Sequence, residues 1–199
     1  MDNDKKLMEE LIKEANSNGF NVEDINELNA IKRKIKILIP VLIRYLFEFE
    51  KRNYKSVIVR ILGVKGFYEA TETLLNLYFN KDVDIDKWAI GDTLYSIQDK
   101  RFEDEYIKIV KDENNGISRQ MIVILLGKLR CEKAIPTLID LLQDDDVDGH
   151  AIMALGYFKD RNLIEYIKPF LNNKKPWIRR EAEKAIKKIN SSANNAENR

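Results

Sequence analysis

Cysteine and histidine occur once each in the 199 residues, as Cys131 and His150. A single thiol excludes an internal disulfide, and one thiol with one imidazole excludes the zinc and iron–sulfur sites that need several such ligands. Proline (4) and glycine (8) are scarce, which favours long helices over a turn-rich β fold. Neither sign of charge is in excess, since 34 Lys and Arg face 33 Asp and Glu. The broad basic footprint of a dedicated duplex binder is therefore missing. Long apolar runs are missing too. The densest, Ile35 to Phe49, is broken by Lys36, Pro40 and Arg44 and falls short of the ~18 to 20 residues of a membrane span. The N-terminus MDNDKKLMEE is charged where a secretory signal would be apolar. No membrane partner and a cytoplasmic location are expected. What is present, 44% hydrophobic and 34% charged residues, supplies both a core and a solvated surface for one domain.

The chain repeats. Five ten-residue segments align without gaps: YKSVIVRILG (54 to 63), DKWAIGDTLY (86 to 95), SRQMIVILLG (118 to 127), VDGHAIMALG (147 to 156) and IRREAEKAIK (178 to 187). Successive segments are 32, 32, 29 and 31 residues apart. The fifth column is Ile58, Ile90, Ile122, Ala151, Ala182 and the ninth is Leu62, Leu94, Leu126, Leu155, Ile186. Positions four apart share one helical face, so these columns are the expected core. Each segment follows a second amphipathic stretch, from IPVLIRYLFEF to LIEYIKPFLNN, with acidic or Asn-rich pieces between. Every unit is thus helix, turn, helix. Such a pair cannot bury its apolar face alone, and stacked neighbours supply the cover.

The segments AIPTLIDLLQDDDVDGHAIMALG (134 to 156) and PWIRREAEKAI (176 to 186) resemble HEAT repeats of the short, lyase-type kind, whose second helix reads roughly V-R-x-x-A-x-x-A-L-G. The resemblance extends over about residues 37 to 189. It departs from the pattern at Lys55, Lys87, Tyr95 and Asp148. It implies an all-α, right-handed α-solenoid of about five helix pairs and a binding surface, but no reaction. Residues 1 to 30 read as an N-terminal helical cap, with Leu7, Met8, Leu11, Ile12 and Ala15 at helical spacing and Gly19 as its stop. Residues 31 to 189 are the repeat region, and 190 to 199 are expected to be a disordered tail.

Charge is uneven along the chain. Residues 31 to 70 and 161 to 199 carry +7 and +6, whereas 1 to 30 and 71 to 118 each carry −5 and 119 to 160 carry −2. Basic ends around an acidic middle suit a protein partner of mixed charge better than a phosphate backbone. In such a solenoid the second helices line the concave side, and columns three and seven are least used by the core. They hold Ser56, Trp88, Gln120, Gly149 and Arg180, then Arg60, Asp92, Ile124, Met153 and Lys184. Trp88 and Asp92 fall one turn apart, with Arg60 one repeat before and Arg119 one repeat after. Val59, Val123, Ile124, Ile152 and Met153 are either covered by neighbouring helices or form an open apolar patch.

Trp88, Asp92 and Arg119 also resemble, by type and order, the Trp, Asp and Arg of alkylpurine DNA glycosylases built from HEAT-like repeats. The acidic surroundings of 71 to 118 argue against that chemistry. Asp144 to Gly149 imitates the start of a calcium loop, but its twelfth position is Leu155 rather than Glu. No metal, no cofactor and no catalytic residue are assigned. The sequence reads as a non-catalytic scaffold or regulator that binds a protein partner through its concave face, an immunity-type inhibitor being one such role. Its expected binding residues are Arg60, Trp88, Asp92, Arg119, Gln120, Ile124 and Met153. A DNA-binding, glycosylase-like enzyme is the alternative, with nucleic acid as the second choice of partner.

Overall fold

Each amphipathic stretch that the repeat marks out is helical in the computed structural model, which describes residues 3–197 apart from the side chains of residues 32, 33 and 192–197. Among the described residues there are twelve α-helices and no strand. The chain divides into two units, residues 1–99 and 100–199.

The first unit contains α1 (Asn3–Ser17), α2 (Glu27–Ala30), α3 (Ile39–Glu48), α4 (Arg52–Ile61), α5 (Thr71–Phe79) and α6 (Lys87–Ile97). The pairs are α3 with α4 and α5 with α6, and α4 lies against α6. Boundaries follow local chemistry. Gly19 takes φ 90° just past the end of α1, a conformation that costs glycine nothing. Pro40 sits in the first turn of α3, where its missing N–H leaves no bond broken. The Asp86 carboxylate caps α6 by accepting from the Ala89 amide at 3.2 Å.

Helix α1 packs on α3 through buried Leu11 and Ala15. Arg44 of α3 pairs with Glu14. Asp4, buried in the first turn of α1, accepts the Glu50 and Lys51 amides at 3.0 and 2.8 Å. That carboxylate fixes the turn between α3 and α4, a role no periodicity in the sequence announces.

The second unit contains α7 (Glu103–Lys111), α8 (Gln120–Leu129), α9 (Ile135–Asp140), α10 (Asp148–Leu155), α11 (Ile164–Ile167) and α12 (Pro176–Glu197). Turns of 3-10 helix extend α9 and α11. Here α8, α10 and α12, the repeated second helices, lie side by side. Helix α12 runs through residues 190–197, which the sequence reading leaves without structure. No Gly or Pro interrupts residues 177–197, and an established helix gains one hydrogen bond for each residue it adds. Asn198 and Arg199, also assigned to the tail, lie outside the described residues.

The fifth column is fully buried, as are Leu62, Leu94, Leu126 and Leu155 of the ninth. Ile186, the ninth-column residue of the last segment, is only half-buried and lines a shallow groove with Leu171 and Lys187. The tenth column shows why glycine recurs there. A Cβ on Gly127 would fall 2.5 Å from Ala154 Cα, and one on Gly156 would fall 2.9 Å from Ala185 Cβ. Gly63 faces Thr93 at 3.5 Å, whose hydroxyl donates to the Val59 carbonyl at 2.9 Å. Each glycine therefore meets a small eighth-column residue of the next second helix, so backbones approach where side chains would hold them apart.

Candidate functional site

In the first unit Arg60, Trp88 and Asp92 share the face of α4 and α6 that the core leaves partly open. Arg60 is exposed, and Trp88 and Asp92 are half-buried. The Arg60 guanidinium lies 5.9 Å from the Trp88 ring centroid, within cation–π range. It also reaches Asp86 at 3.5 Å. Arg60 thus pairs with the cap of α6, which holds the guanidinium beside the indole.

The second unit corrects two residues of the expected set. Arg119 is 1% exposed and presents no guanidinium to a ligand. Its Nε donates to the Gly116 carbonyl at 2.9 Å and its Nη1 to the Val110 carbonyl at 3.2 Å. Nη1 also meets Asp144 at 2.8 Å, with Asp146 at 3.8 Å from Nη2. Two carboxylates of the acidic turn that imitates a calcium loop, Asp144 and Asp146, thus face a buried cation, while Asp145 and Asp148 pair with Lys175. Burial of Arg119 also removes the open guanidinium that the glycosylase resemblance requires. Ile124 is buried as well, at 5% exposure, together with Val59, Val123 and Ile152, so the apolar group is covered rather than open. Gln120 and Met153 remain half-buried, and Gln120 donates to the Asp146 carbonyl at 2.9 Å.

The ten-residue window hid a third rung of this face. One turn beyond column seven stand Lys128, Tyr157 and Lys188, the first two half-buried and Lys188 exposed. The spacing of four was available in the sequence; stopping at the repeated glycine concealed it. A second surprise is Gly149, which is buried because a Cβ there would strike the six-membered ring of Trp177.

His150 lies beside that ring, 5.9 Å between centroids. Burial lowers its pKa from 6.5, an effect that nearby Glu181 opposes. As pH falls through about 6.5, the unfolded chain takes up a proton that the folded protein resists. Stability is expected to drop over the interval that begins as pH falls through about 6.5. Asp148 works in the opposite sense, because burial pushes its carboxyl pKa up. Urea midpoints across this interval should show the loss, and His150→Gln should flatten it. An unchanged slope in that variant would assign the effect to other groups.

Burial pushes the Cys131 thiol up to about 11, with Glu103 adding to the shift. The thiolate that nucleophilic chemistry needs is suppressed. Among the described residues no group of three or more His, Cys, Asp or Glu is placed to hold a metal ion. Among the same residues no helix is long and apolar enough to cross a membrane.

Repeated helix pairs, stacked through their second helices within each unit, define an all-α repeat protein. The chain carries a PBS lyase HEAT-like repeat: the model of that family matches residues 119–144. The match opens on Arg119 and closes on Asp144, the two ends of the buried ion pair. No curated protein matches the chain.

Proposed function

We propose that this protein is a non-catalytic binding module, a right-handed solenoid of helix pairs whose second helices offer an open face to a protein partner. The observation that carries this reading is the Arg60–Trp88 pair. A half-buried indole under a guanidinium, on adjacent second helices, has the composition of residues that dominate binding energy at interfaces. Asp92, one turn along, adds a carboxylate that selects among partners by charge. HEAT-like repeats support a surface of this kind without implying a reaction. An inhibitor of a partner enzyme or toxin is one role such a surface serves.

Capture from a native extract, followed by identification and affinity measurement, tests the reading. Trp88→Ala should weaken the captured partner by about 2 kcal/mol or more while lowering fold stability by about 1 kcal/mol. Unchanged affinity would overturn it. So would a stability loss of about 3 to 5 kcal/mol, which would make Trp88 a core residue.

A further inference from the structure

Helix α12 lies against α10 and against α11 with its 3-10 extension. Its buried residues Ile178, Ala182, Ala185 and Ile189 fall at helical spacing on one side. Leu126 and Leu155, the ninth-column residues of α8 and α10, are each followed by another second helix packed on their own, and both are fully buried. Ile186 holds the same column in α12, yet it is half-buried. With Leu171 it forms the apolar lining of a groove of about 550 Å³, whose polar lining is Glu183, Lys187, Asn190 and Ser191. The charged pair of that lining lies about a third of a turn round the helix from the buried stripe.

The order of the charges is what selects an occupant. Glu183 and Lys187 stand one turn apart with Ile186 between them, and both are exposed. Lys184 is bonded to Glu181 at 2.7 Å, whereas among the described residues Glu183 and Lys187 make no ion pair. A helix laid antiparallel across the groove, with a cation opposite Glu183 and an anion opposite Lys187, pairs both charges and covers Leu171 and Ile186. Helix α12 of a second copy is such a helix. A two-fold axis crossing α12 at the level of Ala185, midway between the charges, sets Glu183 of each copy against Lys187 of the other. The two Ile186 side chains then stand within about 3 Å of one another along the helix direction. A parallel arrangement would set like charges together, which repel.

We propose that this groove is a self-association surface, through which two copies of the chain pair α12 with α12, antiparallel about a two-fold axis. Its apolar part is small, so the dimer is weak and depends on concentration. The surface does not include the Arg60 and Trp88 face, and its failure would leave the protein-binding reading standing.

Sedimentation equilibrium of the full chain tests it, at loading concentrations from about 5 to about 500 µM, with thermal melts to check that every variant stays folded. The unaltered chain should pass from monomer to dimer within that range. Glu183→Lys and Lys187→Glu each set like charges against one another across the axis, and each should weaken the dimer by about tenfold or more. Mixed in equal amounts, the two variants should recover the original affinity, because a chain with two cations then meets a chain with two anions. Both reversals in one chain should recover it as well. Glu9→Lys and Lys13→Glu, at the same spacing on the exposed surface of α1, should change it by less than about twofold. A chain that stays monomeric at the highest concentration would overturn the proposal. So would a dimer indifferent to both α12 reversals, losses that mixing does not recover, or equal losses in the α1 variants.

Discussion

Gly127→Ala is expected to destabilise the fold by about 3 kcal/mol or more, the upper end of what overpacking does. The new methyl would lie 2.5 Å from Ala154 Cα and 2.7 Å from its carbonyl carbon, and closer still to the carbonyl oxygen. These are backbone atoms of α10, so no side chain can swing aside, and relief requires α8 and α10 to separate. Separation would loosen Leu126 and Leu155, both fully buried. Because the obstacle is backbone, Ala154→Gly should not rescue Gly127→Ala. Gly156→Ala provides the contrast. Its nearest obstacle is the Ala185 side chain at 2.9 Å, so Ala185→Gly should recover part of the loss. Urea midpoints of the two pairs of variants check both statements, and rescue by Ala154→Gly would show that the close approach is not what limits the site.

Arg119→Met is expected to lower stability by about 3 to 5 kcal/mol, as when one partner of a buried ion pair is deleted. The loss arises less from the missing attraction than from what remains. The carbonyls of Val110 and Gly116 lose their donor, and Asp144 loses its buried counter-charge. Arg119→Lys should recover only a minor part, because one ammonium cannot occupy the positions of Nε, Nη1 and Nη2 at once. Denaturant unfolding with an unchanged slope would report the loss cleanly. A shift below about 1 kcal/mol for Arg119→Met would show that the surrounding groups find water instead.

These two residues mark where sequence reasoning reached and where it stopped. The periodic positions were legible because burial repeats with the helix: Ile58, Ile90, Ile122, Ala151 and Ala182 are all buried. The glycines of the tenth column were visible as a pattern, but only the neighbouring helix explains them. Arg119 was misjudged for a physical reason. Arginine is almost never fully buried unless paired, and its partners lie in two separate turns, at Gly116 and at Asp144. The recurrence of acidic turns one repeat apart was the available signal. Trp177 and Gly149 carried no signal at all, since a large ring resting on a glycine follows from helix spacing rather than from sequence periodicity. On the candidate face, Arg60, Trp88 and Asp92 were found by counting fours within one segment. Lys128, Tyr157 and Lys188 needed the count to continue past the helix-ending glycine.

The buried arginine also bears on how such a chain is inherited and rebuilt. Its guanidinium is held by carbonyls from its own helix pair and by carboxylates from the next. A segment cut between α8 and α9 and spliced elsewhere would carry the cation without its anion, and a cut between α7 and α8 would strip it of the Val110 carbonyl. Lengthening this protein by duplicating a single hairpin is therefore penalised at both ends. A graft that keeps residues from Val110 through Asp146 together is the smallest exchange that leaves no charge stranded in the interior.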